Sequence, residues 1–152
     1  MAIKQIDIRN KTKKRIDKDF LIKIVRITLD VLKAKEDYIL GLLFVDKKTI
    51  KNLNNKYRGI NSSTDVLSFS VFNKKRNFID PPDNILYLGD IVICLDKIAG
   101  TTGKTSELEL ANLLIHGLLH IFGFTHNKKN DKKKMNKITE KILDELIKKK
   151  IL

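Results

Sequence analysis

The residues most able to do chemistry in this 152-residue chain are its three histidines, which all fall within one short segment. His116-Gly-Leu-Leu-His120-Ile-Phe-Gly123-Phe-Thr-His126 has the spacing H-x-x-x-H-x-x-G-x-x-H. Side chains four apart on a helix lie one above the other, so His116 and His120 can present their rings together. Gly123 can end that helix in the left-handed conformation, and Phe124-Thr125 can carry His126 back toward the pair. Three neutral imidazoles with an open fourth position suit one catalytic zinc per chain; structural zinc is normally closed by four protein ligands. A lone His on an apolar helix is more often a core residue, and two at this spacing also arise by chance. The third, placed after a glycine able to turn the chain, favours a metal site.

Zinc held by three histidines can bring the pKa of a bound water toward about 7 and polarise an oxygen on carbon or phosphorus. In H-E-x-x-H metalloproteases the residue after the first His is a glutamate that moves the proton of that water. Here Gly117 occupies that position and cannot move a proton. A candidate for handling phosphate lies elsewhere: Arg58, just before Gly59, carries a guanidinium that can bind a phosphodiester through two parallel hydrogen bonds. Taken alone, an Arg at a helix end is more often a carbonyl cap or a surface charge. Thr64-Asp65 can likewise be turn chemistry leading into a strand.

These residues need elements to hold them. Ile3–Ile8 alternates as a strand, and Asp17 or Asp19 can cap a helix to about Lys33, with Phe20, Ile24, Ile27 and Val31 on its buried stripe. Tyr38–Val45 reads as a nearly continuous apolar strand. Asp46 then caps a helix with Ile50, Leu53 and Tyr57 at helical spacing, ending near Gly59. Val66–Phe72 and Leu88–Leu95 read as strands, separated by a charged loop, Asn73–Asn84, that holds both prolines. Asp96 can open a short helix or turn, and Gly100–Lys104 reads as a loop. Ser106 offers an N-cap to a helix reaching about Phe122, apolar almost all round and therefore central. A last helix, about Asp131–Lys149, has Met135, Ile138, Ile142 and Leu146 inside and lysines outside. The expected fold is α+β: one domain over 1–152, a mixed sheet of about four strands flanked by helices, and a buried central helix carrying the histidines.

Composition bounds the possibilities. Hydrophobic content of 42% and charged content of 32% describe a globular chain, and its longest apolar runs are far too short to span a bilayer. The N-terminus has no apolar signal-peptide core. The single cysteine, Cys94, reads as a small buried residue, and a cytoplasmic setting is expected. Net charge of +13 attracts polyanions, although lysine-rich runs can also be simple solvated faces.

Several segments together resemble one family. Leu53-Asn-Asn-Lys-Tyr-Arg58, Thr64-Asp-Val-Leu-Ser-Phe69, Leu88-Gly-Asp-Ile-Val-Ile93 and His116–His126 are similar, in order and spacing, to the YbeY proteins, and Met135 and Glu140 resemble that family's ending. The resemblance implies a single-strand-specific, metal-dependent endoribonuclease. It would act in maturation of the 3′ end of small-subunit ribosomal RNA and in ribosome quality control, with the small subunit and its assembly factors as partners and no DNA substrate. It implies zinc on His116, His120 and His126, catalytic roles for Arg58 and His116, and substrate contacts from Arg58, Thr64 and Ser68. One departure stands out: the family usually has an aspartate before the third His, where this chain has Thr125. An aspartate there could orient an imidazole. The usual acidic residue after the third His is also replaced, by Asn127.

Two other readings stay open. A peptidase would share the histidine frame of the metzincins, against which Gly117 argues. A basic assembly factor would bind ribosomal RNA or proteins, with the metal serving only to hold the fold.

Overall fold

The structure, a computed structural model, describes residues 3–34, 37–70, 85–98 and 104–152. Its elements in order are β1 (Ile3–Asn10), α1 (Lys18–Val31), β2 (Asp37–Val45), α2 (Lys47–Arg58), β3 (Val66–Ser70), β4 (Ile85–Cys94), a short 3-10 turn (Leu95–Lys97), α3 (Lys104–Ile121) and α4 (Lys129–Lys148). The sheet order is β1-β2-β4-β3, with β1, β2 and β4 parallel and β3 antiparallel to β4. This is the mixed four-stranded sheet expected from the sequence.

Local chemistry explains the helix ends. Asp17 and Asp46 each accept from a backbone N–H three residues on, at 3.1 Å from Phe20 and 2.8 Å from Thr49, and so cap α1 and α2. Gly59 closes α2 with φ +69, a conformation costly for residues that carry a Cβ.

Strand alternation then divides the core. Leu40, Leu42 and Phe44 of β2 join Leu88, Ile91 and Ile93 of β4 against α1, α3 and α4, and all six are essentially fully buried. The opposite face holds a smaller cluster, Val45, Ile50, Leu67, Val92 and Cys94, beneath α2. Cys94 is buried as expected, and burial raises its thiol pKa. No helix among the described residues is long and apolar enough to cross a membrane.

Several sequence-based expectations need correction. Strand β4 begins at Ile85 rather than Leu88, because a bulge lets pairing continue past the glycine: Ile39 pairs with Tyr87 and Leu40 with Gly89. Gly89 has φ +135, and a Cβ there would stand 2.0 Å from the Phe69 carbonyl oxygen. Ser106 does not cap α3, which already begins at Lys104; neither Lys104 nor Thr105 breaks a helix, so Ser106 lies in the first turn. Phe20 and Val31 are half-buried, while Leu21 and Val25 share the α1 core with Ile24. Tyr57 follows Ile50 and Leu53 at helical spacing, yet it is 58% exposed, because the last turn of α2 hangs beyond the small cluster. The expected loop Asn73–Asn84, the end of the third expected strand and most of the Gly100–Lys104 loop lie outside the described residues.

Candidate metal centre

Helix α3 places the histidines by burying most of its length. Ala111, Leu114, Ile115, Leu118 and Leu119 are fully buried, which fixes the helix rotation and brings half-buried His116 and His120 to the rim of the sheet. Gly117 lets the helix approach β4 closely, since a Cβ there would stand 3.0 Å from Ile91 Cγ2. The helix ends in a Schellman turn: Gly123 N–H donates to His120 O and Phe124 N–H to Leu119 O, both at 3.0 Å, with Gly123 at φ +91. That turn carries exposed His126 back over the helix end. The three rings have centroids 4.3, 5.4 and 5.1 Å apart, and one ligand nitrogen from each lies within 4.8 Å of the others.

Hydrogen bonding sets the tautomers. His120 Nδ1 is 2.9 Å from the Phe124 carbonyl oxygen, which can only accept, so Nδ1 carries the proton and Nε2 keeps its lone pair. His116 Nε2 lies 2.7 Å from His120 Nε2 and therefore donates to it. Nitrogens sharing one tetrahedral zinc would stand roughly 3.3 Å apart. Admitting an ion therefore takes ring rotations that open the 2.7 Å His116–His120 contact, close any pair as far apart as 4.8 Å, and shift the His116 proton off Nε2. The donor set fits a metal.

Electrostatics agree. Burial first, then the neighbouring His120 and His126, push His116 down to about 4; burial also lowers His120, against the opposing effect of its bond to Phe124. His116 is thus neutral at pH 7 and able to ligate.

Arg58, Thr64, Ser68, His116, His120 and His126 all line one open cleft of about 790 Å³, so the site residues expected from the sequence come together. Buried Asn54 explains part of this. Its Nδ2 donates to Ser62 O at 2.9 Å and its backbone oxygen accepts from Ile60 N–H at 3.4 Å, tying the loop after Arg58 onto α2. Ser70 Oγ donates to Ile121 O at 3.2 Å, joining β3 to the end of α3.

Asp65, Tyr57 and Phe69 are among the cleft-lining residues that the sequence does not single out as functional. The sequence leaves Asp65 open to a turn-forming role; its carboxylate raises the His116 pKa against the larger lowering effects. Tyr57 and Phe69 also line the cleft. The signal at Tyr57 was its place beside Arg58. Thr125 donates to Asp131 Oδ2 at 3.4 Å, and His120 takes its orientation from the Phe124 carbonyl, a support independent of the side chain at 125.

An α+β fold whose central helix presents two histidines, with a third returning after a glycine turn, defines a candidate single-metal hydrolase scaffold. The family model described as endoribonuclease YbeY matches residues 5–147, and the chain belongs to that family. Among its relatives, the endoribonuclease YbeY of Caldicellulosiruptor bescii is 38% identical over 78% of this chain and 80% of the relative. That of Syntrophomonas wolfei is 32% identical over 94% of each. The solution structure of TM1509 from Thermotoga maritima superposes with a TM-score of 0.55 at 25% identity, covering 96% of this chain and 94% of that one.

Proposed function

We propose that the chain is a zinc-dependent endoribonuclease that cuts single-stranded RNA, acting in maturation of the 3′ end of small-subunit (16S) ribosomal RNA and in ribosome quality control. Residues 1–152 work as one unit, in the cytoplasm, with ribosomal RNA, the small subunit and its assembly factors as partners. Neither DNA nor a membrane is a substrate. The observation that carries this reading is the sharing of one cleft by three convergent imidazole nitrogens and Arg58. The names of its relatives support RNA as the substrate.

His116, His120 and His126 would hold one zinc, which when bound polarises a phosphate oxygen and acidifies a water. The exposed Arg58 guanidinium binds the phosphodiester and balances charge building on its oxygens. Thr64 and Ser68, half-buried on the cleft wall, supply hydroxyls to the same strand. His116 is read as catalytic as well as ligating, because its removal would dismantle the set. Gly117 argues against a peptidase: it puts no carboxylate beside His116 to move a proton, and a Cβ there would already crowd Ile91 at 3.0 Å. The apolar burial of α3 argues against a metal whose only task is to hold the fold.

The test is cleavage of single-stranded and duplex RNA by purified protein, with zinc and after chelation. Expected is zinc-dependent cutting of the single strand alone. Cleavage that persists after complete metal removal would overturn the reading.

A further inference from the structure

The metal cleft does not end at Arg58. Tyr57 and Phe69 line it on one side and, on the other, line a second groove of about 660 Å³ that runs across the open face of the sheet toward Arg9 and Lys11. The two rings pack edge to face, with centroids 5.2 Å apart at 69°. Phe69 is half-buried and holds Tyr57 in place, while Tyr57 projects into solvent with Ile60, 42% exposed, three residues on. The Lys56 ammonium stands 5.3 Å from the Tyr57 centroid. An exposed aromatic braced by a second ring, flanked by Lys56 and Arg58 and placed where two grooves meet, is poorly explained by packing. It has the parts of a nucleobase platform: a π surface, and cations at the spacing of the adjoining backbone.

We propose that Tyr57 is a base-stacking subsite for single-stranded RNA. The nucleotide next to the phosphate held at Arg58 stacks on the Tyr57 ring, Lys56 moves from the ring to that nucleotide's own phosphate, and the strand leaves across the sheet face toward Arg9 and Lys11. The proposal rests on the endoribonuclease reading and deepens it. It also gives a reason for single-strand preference, because a paired base is not free to stack on protein. Part of the groove is acidic: Asp7 lies 3.3 Å from Arg9, and Asp90 accepts from Tyr87 Oη at 2.6 Å. Arg9 balances Asp7, while Asp90 keeps its charge beside Tyr87, so the strand's exit passes Lys11 and the Asp7–Arg9 pair on β1 and stays clear of Asp90.

The experiment scans a short single-stranded RNA with one cleavage site, replacing one base at a time by an abasic residue. Wild type should lose about tenfold in kcat/KM at one position near the cut, the scale of one lost base–aromatic stack. Tyr57→Ala should lose about tenfold on intact RNA and be indifferent to the abasic change at that position; Tyr57→Phe should behave as wild type. A second readout needs no turnover. In strands bound to chelator-treated protein, 2-aminopurine at that position should be quenched by wild type and Tyr57→Phe but not by Tyr57→Ala. If wild type cuts RNA and Tyr57→Ala keeps the same abasic profile and quenching, the stacking subsite is wrong and Tyr57 serves another partner, such as a protein. If wild type cuts nothing while Tyr57-dependent quenching persists, the subsite stands and the nuclease reading fails.

Discussion

The two faces of the sheet are built from the same strands but finished differently. On one, Leu40, Leu42, Phe44, Ile91 and Ile93 are sealed beneath α1 and α3. On the other, among the described residues, α2 packs over Val45, Leu67, Val92 and Cys94 with Leu43 and Phe69 partly buried beside them, while Gly41, Tyr87 and Asp90 line an open groove. The closed face supplies rigidity, because a packed apolar core tolerates few rotations of α3 and so few positions for His116 and His120. The open face supplies access. The candidate metal centre sits at the rim where the two meet, held by one face and served by the other.

The comparison can be broken from the closed side first. Leu118→Ala removes a fully buried side chain between the two α3 histidines and should cost about 2–5 kcal/mol in urea denaturation. Activity per folded molecule should fall as well, since looser packing on the buried side lets α3 shift and carry the histidines with it. Arg58→Ala comes next. It should slow RNA cleavage about a hundredfold, roughly 2.7 kcal/mol, while the denaturation midpoint barely moves. Tyr87→Ala, on the open face and 44% exposed, should change stability by less than about 1 kcal/mol. If Tyr87→Ala proved as destabilising as Leu118→Ala, the division of labour between faces would be wrong.

The smallest effect concerns Thr125→Asp. With His120 already held by the Phe124 carbonyl, and with Asp131 repelling a new carboxylate, metal affinity should change less than about tenfold. A larger gain in a competition titration would show that the third histidine lacks an orienting partner that the aspartate restores.

What the sequence made legible was local. The histidines lie on adjacent turns of one helix, and the glycine turn that returns His126 is encoded within the same segment, so helix geometry alone brings them together. The caps at Asp17, Asp46 and Gly59 were readable for the same reason. Arg58 was readable as a phosphate-binding candidate from its own chemistry, but its place beside the histidines, and the roles of Thr64 and Ser68, came from likeness to a family, because that approach depends on β3 pairing with β4 and packing on α3. The exposure of Tyr57 was hidden: helical spacing says which residues share a face, not how far the opposing surface extends. The bulge at Leu88-Gly89 was hidden too, since its register is set by β2, far away in the chain. The open groove follows from the order β1-β2-β4-β3, a nonlocal pairing that no local pattern encodes.

The most direct test of the central claim is metal content per chain for wild type and for His116→Ala, His120→Ala and His126→Ala, each assayed on single-stranded RNA and checked by circular dichroism. Predicted is one zinc per wild-type chain, with metal and cleavage lost together in each variant while the fold is kept. A variant that keeps both its metal and its cleavage would contradict the account.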